Sequence, residues 1–375
     1  MNRLAIVSTH PIQYNAPLFR LLAKDDSIDL KVFFSKLCDE VKFDKDFGQE
    51  VAWDLPLLDD YEHASFEAST AEGKRSLIRA IVAFKPKAVL VYGWNFPGHW
   101  AVMRHFKGRI PVWFRGDSTL LDPLPLWKKA ARKLLLSVVY RSVDRAFYVG
   151  KANKRYFEWV GLRPDQLTYA PHAVDNDFFM RDDEARYELA LQKRAEMGIP
   201  VDAKVFLFVG KLESKKQPNM LAAAFIAAAL NNAHLVFIGS GALEPDLKTQ
   251  CAAAKNIHLV GFQNQQSMPV WYRVGDVLCL PSKGPGETWG LAVNEAMACG
   301  CAAIISEQVG CHEDVLALDT VGIQFSANRE DVLLTSLRAA SEQSWDREAI
   351  QSHIGHWSFS EIIKAIRSEM NRVKS

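Results

Sequence analysis

One stretch constrains the fold of this chain more than any other: Pro281 to Gly300, which reads Pro-Ser-Lys-Gly-Pro-Gly-Glu-Thr-Trp-Gly-Leu-Ala-Val-Asn-Glu-Ala-Met-Ala-Cys-Gly. The apolar run at 276–280 before it is short enough to be a buried parallel strand. After the glycine-rich loop, residues recur at helical spacing until Gly300, a residue type that commonly ends a helix. The stretch therefore predicts a strand, a loop and a helix. The first amides of such a helix attract a phosphate.

Two glutamates bracket the predicted helix start. Glu287 and Glu295 are eight residues apart, which corresponds to roughly 12 Å at helical rise. This spacing suits a nucleotide sugar, with one carboxylate accepting hydrogen bonds from the ribose and the other from the sugar beyond the diphosphate. The diphosphate in the middle of the donor would bind the backbone amides of the intervening residues Thr288, Trp289, Gly290 and Leu291.

The same residues resemble the Glu-x7-Glu motif of family 4 glycosyltransferases, Glu-Gly-Phe-Gly-Leu-x-x-x-Glu-Ala-Met-Ala-x-Gly, with Thr288 in place of the usual glycine. The resemblance implies the GT-B fold: two Rossmann-like α/β domains whose parallel sheets face a central cleft, with a C-terminal helix that crosses back to the first domain. It implies a first, acceptor-side domain at 1–180 together with 358–375. The nucleotide-sugar domain would occupy 181–357.

A second part of the predicted donor site follows the apolar run at 204–209. Gly210-Lys211-Leu212-Glu213-Ser214-Lys215-Lys216 is similar to the family pattern Gly-Arg-x-x-x-x-Lys, whose two cations bind the donor diphosphate. Lys211 takes the arginine position, which preserves the charge but loses the bidentate fork. The resemblance also implies that Gly241, in a Gly-Ser-Gly turn, and Phe262, after the next strand, lie at the donor.

The predicted first domain offers candidates for the acceptor or the cleft. His10-Pro11-Ile12-Gln13-Tyr14 follows the first strand and resembles the loop of one subset of the family. In one interpretation, His10 and Gln13 of this loop contact a phosphate or the acceptor. In the other, the loop only caps a helix.

Arg115 and Asp117 follow a strand at 112–114 and are catalytic candidates. The arginine would favour a diphosphate or an anionic sugar or acceptor, and Asp117 would orient an acceptor hydroxyl. Alternatively, the two residues pair with each other or Asp117 caps a helix. His172 stands where the family usually has asparagine beside the cleft.

Two charged segments have structural interpretations. The run from 181 to 194 predicts a surface helix at the domain junction. Residues 124–145 are basic and apolar with a single acid, Asp144. They form either a core helix with a basic outer side or a helix that lies on an anionic membrane.

Composition and net charge argue against several classes of protein. The 375 residues carry a net charge of +1, which argues against a nucleic-acid partner bound through overall field. The six cysteines have no paired metal or redox spacing, and no apolar run reaches the length of a membrane span. The prediction is a cytoplasmic protein with reduced cysteines, possible peripheral contact with the inner face of the cell membrane, and no metal or other cofactor.

The resemblance implies a retaining, metal-independent hexosyltransferase that moves a sugar from a UDP or GDP type donor to a glycan or a lipid-linked acceptor in surface polysaccharide or glycoconjugate synthesis. Glu287, Lys211 and Lys216 would be catalytic, and Glu295 would bind the donor. Alternatives are a GT-B nucleotide-sugar epimerase, a glycoside hydrolase and a noncatalytic nucleotide-sugar-binding protein. A glycoside hydrolase normally places two carboxyls about 5–10 Å apart across the scissile bond, whereas Glu287 and Glu295 would bind different ends of the donor.

Overall fold

The computed structural model describes residues 2–37, 42–44, 49–51, 54–181 and 184–373. Its strands are β1 (Asn2–Ser8), β2 (Ile28–Phe34), β3 (Lys42–Asp44), β4 (Gln49–Val51), β5 (Glu62–Ser65), β6 (Ala88–Tyr92), β7 (Val112–Arg115), β8 (Arg145–Tyr148), β9 (Leu167–Tyr169), β10 (Lys204–Val209), β11 (Ala233–Ile238), β12 (Ile257–Gly261), β13 (Val277–Leu280), β14 (Ala302–Ser306) and β15 (Gly322–Phe325).

Helices alternate with most of these strands. They are α1 (Ala16–Ala23), α2 (Ala71–Phe84), α3 (Pro97–Phe106), α4 (Leu126–Tyr140), α5 (Lys151–Trp159), α6 (Asn176–Met180), α7 (Glu184–Glu196), α8 (Pro218–Ala228), α9 (Glu244–Cys251), α10 (Met268–Val274), α11 (Leu291–Ala298), α12 (His312–Val315), α13 (Glu330–Glu342), α14 (Arg347–Ile354) and α15 (Phe359–Arg372).

The chain divides into two compact units. The first comprises residues 1–40, 55–172 and 359–375, and the second comprises residues 41–54 and 173–358. The C-terminal helix α15 therefore belongs to the first unit. There Glu369 of α15 accepts a hydrogen bond from the Thr168 hydroxyl and pairs with Arg145 at 2.7 Å. These contacts attach α15 to the strands β8 and β9.

The first unit is built on a seven-stranded parallel sheet in the order β5-β2-β1-β6-β7-β8-β9. Its central strands β1, β6 and β7 are mostly apolar and buried, as expected when helices cover both faces of a sheet. The apolar sides of α2, α3, α4 and α5 pack into the same core. The predicted Rossmann-like organisation is confirmed, although β5 was not anticipated.

The second unit contains a six-stranded parallel sheet in the order β12-β11-β10-β13-β14-β15. The order reverses at its centre, because β11 and β12 lie on one side of β10 while β13, β14 and β15 lie on the other. Open α/β sheets bind ligands at the carboxyl ends of strands beside such a reversal. The loops after β10 and β13 therefore occupy the position where a ligand is expected.

The charged helix at the start of the second unit differs from its prediction. It spans Glu184–Glu196, and two of its arginines are buried. Arg194 donates to the carbonyl oxygen of Val274 at 2.8 Å and pairs with Asp276 at 3.2 Å. Arg186 donates to the carbonyl oxygen of Phe178 at 2.6 Å. The expectation of a simple surface helix is wrong at these positions, because long arginine side chains reach backbone carbonyls of other elements.

Candidate donor site

The lysine and the glutamate predicted at the donor site meet in the second unit. Lys216, from the loop after β10, places its Nζ 2.6 Å from Oε2 of Glu287, in the loop after β13. The Ser282 hydroxyl donates to the same carboxylate oxygen at 2.9 Å. The backbone of the two loops is also joined, since Lys283 N–H donates to the carbonyl oxygen of Lys215 at 2.8 Å. A cation and a carboxylate are thus held together at the strand-order reversal.

The loop that carries Glu287 is shaped by the segment after β14. Gly310 N–H donates to the carbonyl oxygen of Glu287, and Cys311 N–H to that of Trp289, both at 3.0 Å. A Cβ atom on Gly310 would lie 1.7 Å from the carbonyl oxygen of Thr288, so this position requires glycine. Trp289 is buried and donates its indole N–H to Asn294 at 2.7 Å. Residues 287–290 consequently have a defined backbone conformation.

Helix α11 starts directly after this loop, at Leu291. Gly290 precedes it with φ +92°, a left-handed conformation that glycine adopts without strain. The first backbone N–H groups of α11 have no acceptor within the helix, and they lie at the positive end of the helix dipole. Next to Lys216, this helix start suits an anionic group.

Glu295, in the second turn of α11, is only 3% exposed. The Tyr272 hydroxyl donates to one of its carboxylate oxygens at 2.7 Å, and the Gln265 side-chain amide donates to the other at 2.9 Å. Burial raises the pKa of Glu295 to about 7, and the two hydrogen bonds partly oppose that shift. The carboxyl group is therefore oriented by protein donors on both oxygens, so a ribose at this position would share an already hydrogen-bonded group.

The other predicted donor residues surround these loops. Gly210 N–H donates to the carbonyl oxygen of Ile238, and Leu212 N–H donates to that of Ser240, which joins the loops after β10 and β11. A Cβ atom on Gly241 would lie 2.6 Å from the carbonyl oxygen of Leu212, which explains a glycine at this turn. Lys211 and Phe262 are partly buried after β10 and β12, respectively.

The remaining predicted residues lie in the first unit. His10 and Gln13 follow β1 and are partly buried. Arg115 ends β7, is only 6% exposed, and donates to the carbonyl oxygens of Ala170 at 2.8 Å and Pro171 at 2.7 Å. Burial lowers the pKa of Arg115. Its guanidinium thus holds the backbone just before His172, and its partners lie 55 and 56 residues along the chain rather than nearby in sequence.

Asp117 and His172 approach each other in the first unit. Their Oδ2 and Nε2 atoms are 3.9 Å apart. Burial lowers the pKa of His172 to about 4, with Asp117 opposing the shift and Arg115 adding to it. The imidazole is therefore neutral at pH 7 and can act as a hydrogen-bond donor or acceptor without carrying charge.

Three side chains that contact the predicted acids were not identified from the sequence: Ser282, Gln265 and Tyr272. Ser282 lies two residues after the end of β13, where a polar residue following a buried strand was a usable signal. Gln265 and Tyr272 lie 30 and 23 residues before Glu295, and no spacing rule connects them to it.

Among the described residues, no three His, Cys, Asp or Glu side chains are grouped so as to hold a metal ion. In the same part of the chain, none of the helices has the length and apolar character that a membrane span requires. Within the described ranges, five cysteines are free and buried: Cys251, Cys279, Cys299, Cys301 and Cys311.

Comparison with known proteins shows what the sequence of the second unit is similar to. Residues 191–353 match the family model described as glycosyl transferases group 1. The match covers the Lys216 loop, the Glu287 loop and helix α11. A relative, the D-inositol 3-phosphate glycosyltransferase of Thermomonospora curvata, is 32% identical over 171 residues, which are 42% of this chain and 39% of that protein. The first curated relatives are each matched over about two fifths of their own length.

Solved structures match over nearly the whole chain. A glycosyltransferase from Rickettsia africae has a TM-score of 0.74 at 12% identity, covering 99% of this chain and 98% of that one. The Anabaena protein Alr3699/HepE in complex with UDP-glucose has a TM-score of 0.63 at 14% identity, covering 95% and 99%. The fold is GT-B.

Proposed function

We propose that this chain is a retaining glycosyltransferase of the hexosyltransferase type, which transfers a sugar from a nucleotide diphosphate donor. The observation that carries the proposal is the contact between Lys216 and Glu287 at the strand-order reversal, inside the segment that matches group 1 glycosyl transferases. The contact places an amine for the diphosphate next to an acid for the sugar hydroxyls.

The proposed chemistry is stabilisation of the leaving group. Negative charge develops on the diphosphate as the glycosidic bond breaks, and preorganised cations and amides at that position lower the barrier. Lys216, Lys211 and the amides of Thr288, Trp289, Gly290 and Leu291 would provide this stabilisation. With two lysines and a helix start facing the diphosphate, a metal ion is not required in this proposal.

Retention is part of the proposal because the motif at 287–300 resembles that of retaining family 4 glycosyltransferases. Glu287 is paired with a lysine and accepts from Ser282, an arrangement that suits binding sugar hydroxyls rather than covalent attack. Retention without a covalent intermediate requires that the acceptor oxygen attack on the same face from which the diphosphate departs. Glu295 would accept from the ribose while still oriented by Tyr272 and Gln265.

The donor and acceptor classes belong to the same proposal. A UDP or GDP sugar is the expected donor, and the likeness to the Anabaena structure with UDP-glucose favours uridine. A glycan or lipid-linked acceptor in surface polysaccharide synthesis is supported by structural likeness to the lipopolysaccharide outer core galactosyltransferase WaaB. His10, Gln13, Asp117 and His172 would serve the acceptor. The proposed location is the cytoplasm, with peripheral contact at the inner membrane face through 124–145.

Nucleotide binding and turnover test the proposal separately. Thermal shifts are measured with UDP, GDP, ADP and CMP, with and without EDTA, and we expect stabilisation by UDP or GDP that persists in EDTA. Incubation with the corresponding nucleotide sugar and candidate acceptors is then analysed for a glycosylated product. Release of free sugar alone would indicate a hydrolase, interconversion of the donor an epimerase, and binding without turnover a noncatalytic protein; each result contradicts the proposed transfer.

A further inference from the structure

Helix α11 carries two adjacent polar side chains, Asn294 and Glu295, and both are buried. The rest of this helix is apolar. Asn294 is 0% exposed, and its Oδ1 accepts a hydrogen bond from the indole N–H of Trp289 at 2.7 Å. A polar group in apolar surroundings is costly unless it is hydrogen-bonded, so the indole and the amide each restrict where the other can lie.

This pair connects the parts of the chain that carry the two acids of the donor site. Glu287 is held by groups outside α11, namely Lys216, Ser282 and the backbone N–H of Gly310. Glu295, in contrast, belongs to α11 and directly follows Asn294. Trp289 is two residues after Glu287 in the loop. Its indole therefore ties the loop of one acid to the helical turn of the other.

We propose that Trp289 and Asn294 are paired positioning residues, which fix the loop at 287–289 relative to α11 and thereby the sugar end of the donor relative to its nucleotide end. The inference rests on the proposed function, in which Glu287 binds the sugar and Glu295 binds the ribose. Both members of the pair are buried, so their side chains act through these acids rather than on the donor itself.

The test compares affinities for UDP and UDP-glucose in the full chain by isothermal titration, with GDP and GDP-mannose as a second pair of probes. Trp289→Phe removes the indole N–H but keeps an aromatic ring, and Asn294→Val removes the acceptor. In each variant we expect the affinity for the nucleotide sugar to fall about tenfold, as for one lost hydrogen bond to a carboxylate, and that for the nucleotide to fall less than about threefold.

The double variant Trp289→Phe/Asn294→Val tests whether the two residues act as a pair. Partners in one hydrogen bond are not additive, so the double variant should lose about tenfold in nucleotide-sugar affinity rather than about a hundredfold. Trp345→Phe is the matched control, because it breaks an indole hydrogen bond to the carbonyl oxygen of Ala340, at 3.4 Å, outside the donor site. Its affinities should stay at the wild-type level.

A purely structural role of the pair predicts a different result. The melting temperature would fall in both single variants while the ratio of nucleotide-sugar to nucleotide affinity stayed at the wild-type value, and this result would overturn the proposal. Additive losses in the double variant would do the same. Wild-type protein that binds the nucleotide sugar but glycosylates no acceptor contradicts sugar transfer alone, since the titrations need no turnover. Wild-type protein that binds neither pair of probes would overturn both.

Discussion

Lys216 and Glu287 form an ion pair between loops that follow two adjacent parallel strands, with 2.6 Å between Nζ and Oε2. Both side chains are largely buried, and Ser282 donates to the same carboxylate oxygen. The carboxylate keeps the amine in place while no diphosphate is bound. A bound donor would then contact a cation whose position is already fixed.

Lys216→Met should reduce kcat/KM for sugar transfer by about 10²–10³, because it removes a cation that faces the charge of the leaving group. Steady-state kinetics with the nucleotide sugar measure this loss. Lys215→Met is the control, since the neighbouring lysine pairs with Glu213 instead. Similar activity in the two variants would remove Lys216 from the mechanism.

Substitution of the two acids should separate binding from turnover. Glu287→Ala should impair transfer more than nucleotide affinity, because its proposed partner is the transferred sugar. Glu295→Ala should weaken nucleotide binding, because its proposed partner is the ribose. Isothermal titration with the nucleoside diphosphate measures the affinity of each variant, and kinetics on the same preparations measure its rate of transfer. If neither variant changes either quantity, both assignments are wrong.

The ionisation of Glu295 should make the stability of the protein depend on pH. Its pKa is about 7 in the folded chain and near the ordinary value of 4.5 when unfolded. Between these values the folded state retains a proton on Glu295 that the unfolded state has lost, so the contribution of Glu295 to the free energy of unfolding should fall as pH rises through this window. The fall should be on the order of 3 kcal/mol.

Glu295→Gln should abolish that part of the pH dependence, because a neutral amide replaces the titrating group. Urea denaturation from pH 5 to 8, compared between the two proteins, gives the difference. Glu361→Gln, on the exposed surface of α15, is the control and should keep the wild-type slope. A difference in stability between the wild type and Glu295→Gln that does not change with pH would contradict the assignment to Glu295.

Gly310→Ala should displace the loop that carries Glu287. The new methyl group would lie 1.7 Å from the carbonyl oxygen of Thr288, so the backbone must move. We expect a loss of roughly 1–3 kcal/mol in stability together with weaker nucleotide binding. Gly355→Ala is the control, since its closest contact would be 3.2 Å. Wild-type binding by Gly310→Ala would mean that the shape of residues 287–290 is unimportant.

Arg115→Met should distinguish a structural role from a role at the donor. The substitution leaves the buried carbonyl oxygens of Ala170 and Pro171 without the donors that they now have, and it should lower stability by roughly 2–4 kcal/mol. Calorimetry and nucleotide titration are made on the same protein. Unchanged stability with lost nucleotide affinity would instead support the anion-binding role predicted from the sequence.

Much of the architecture was predictable because parallel strands leave a strong pattern. The buried strands β10, β11, β13 and β14 are continuous apolar runs, each followed by glycine or polar residues, and this alternation indicates two Rossmann-like sheets. The pairing of Lys216 with Glu287 was also within reach, since both follow strands whose carboxyl ends share one edge of the sheet. β5 and β15 were missed because their sequences, Glu-His-Ala-Ser and Gly-Ile-Gln-Phe, contain no continuous apolar run.

The contacts within the site were not predictable in the same way. Gln265 and Tyr272 reach Glu295 through tertiary packing, which no local pattern records. Arg115 was interpreted as a ligand for anions because the sequence does not tell where the backbone at 170–171 passes. The face that α4 presents to solvent likewise depended on knowing which of its apolar residues the core buries.

The hydrogen bonds from Gly310 and Cys311 to the loop at 287–290 have a consequence for protein engineering. If that loop were exchanged for one from a relative in order to alter sugar preference, the new backbone would face the original segment at 309–311, which is shaped for the old loop. To change donor specificity, the segments 287–290 and 309–311 should therefore be exchanged together. Libraries that randomise either segment alone should yield mostly inactive variants.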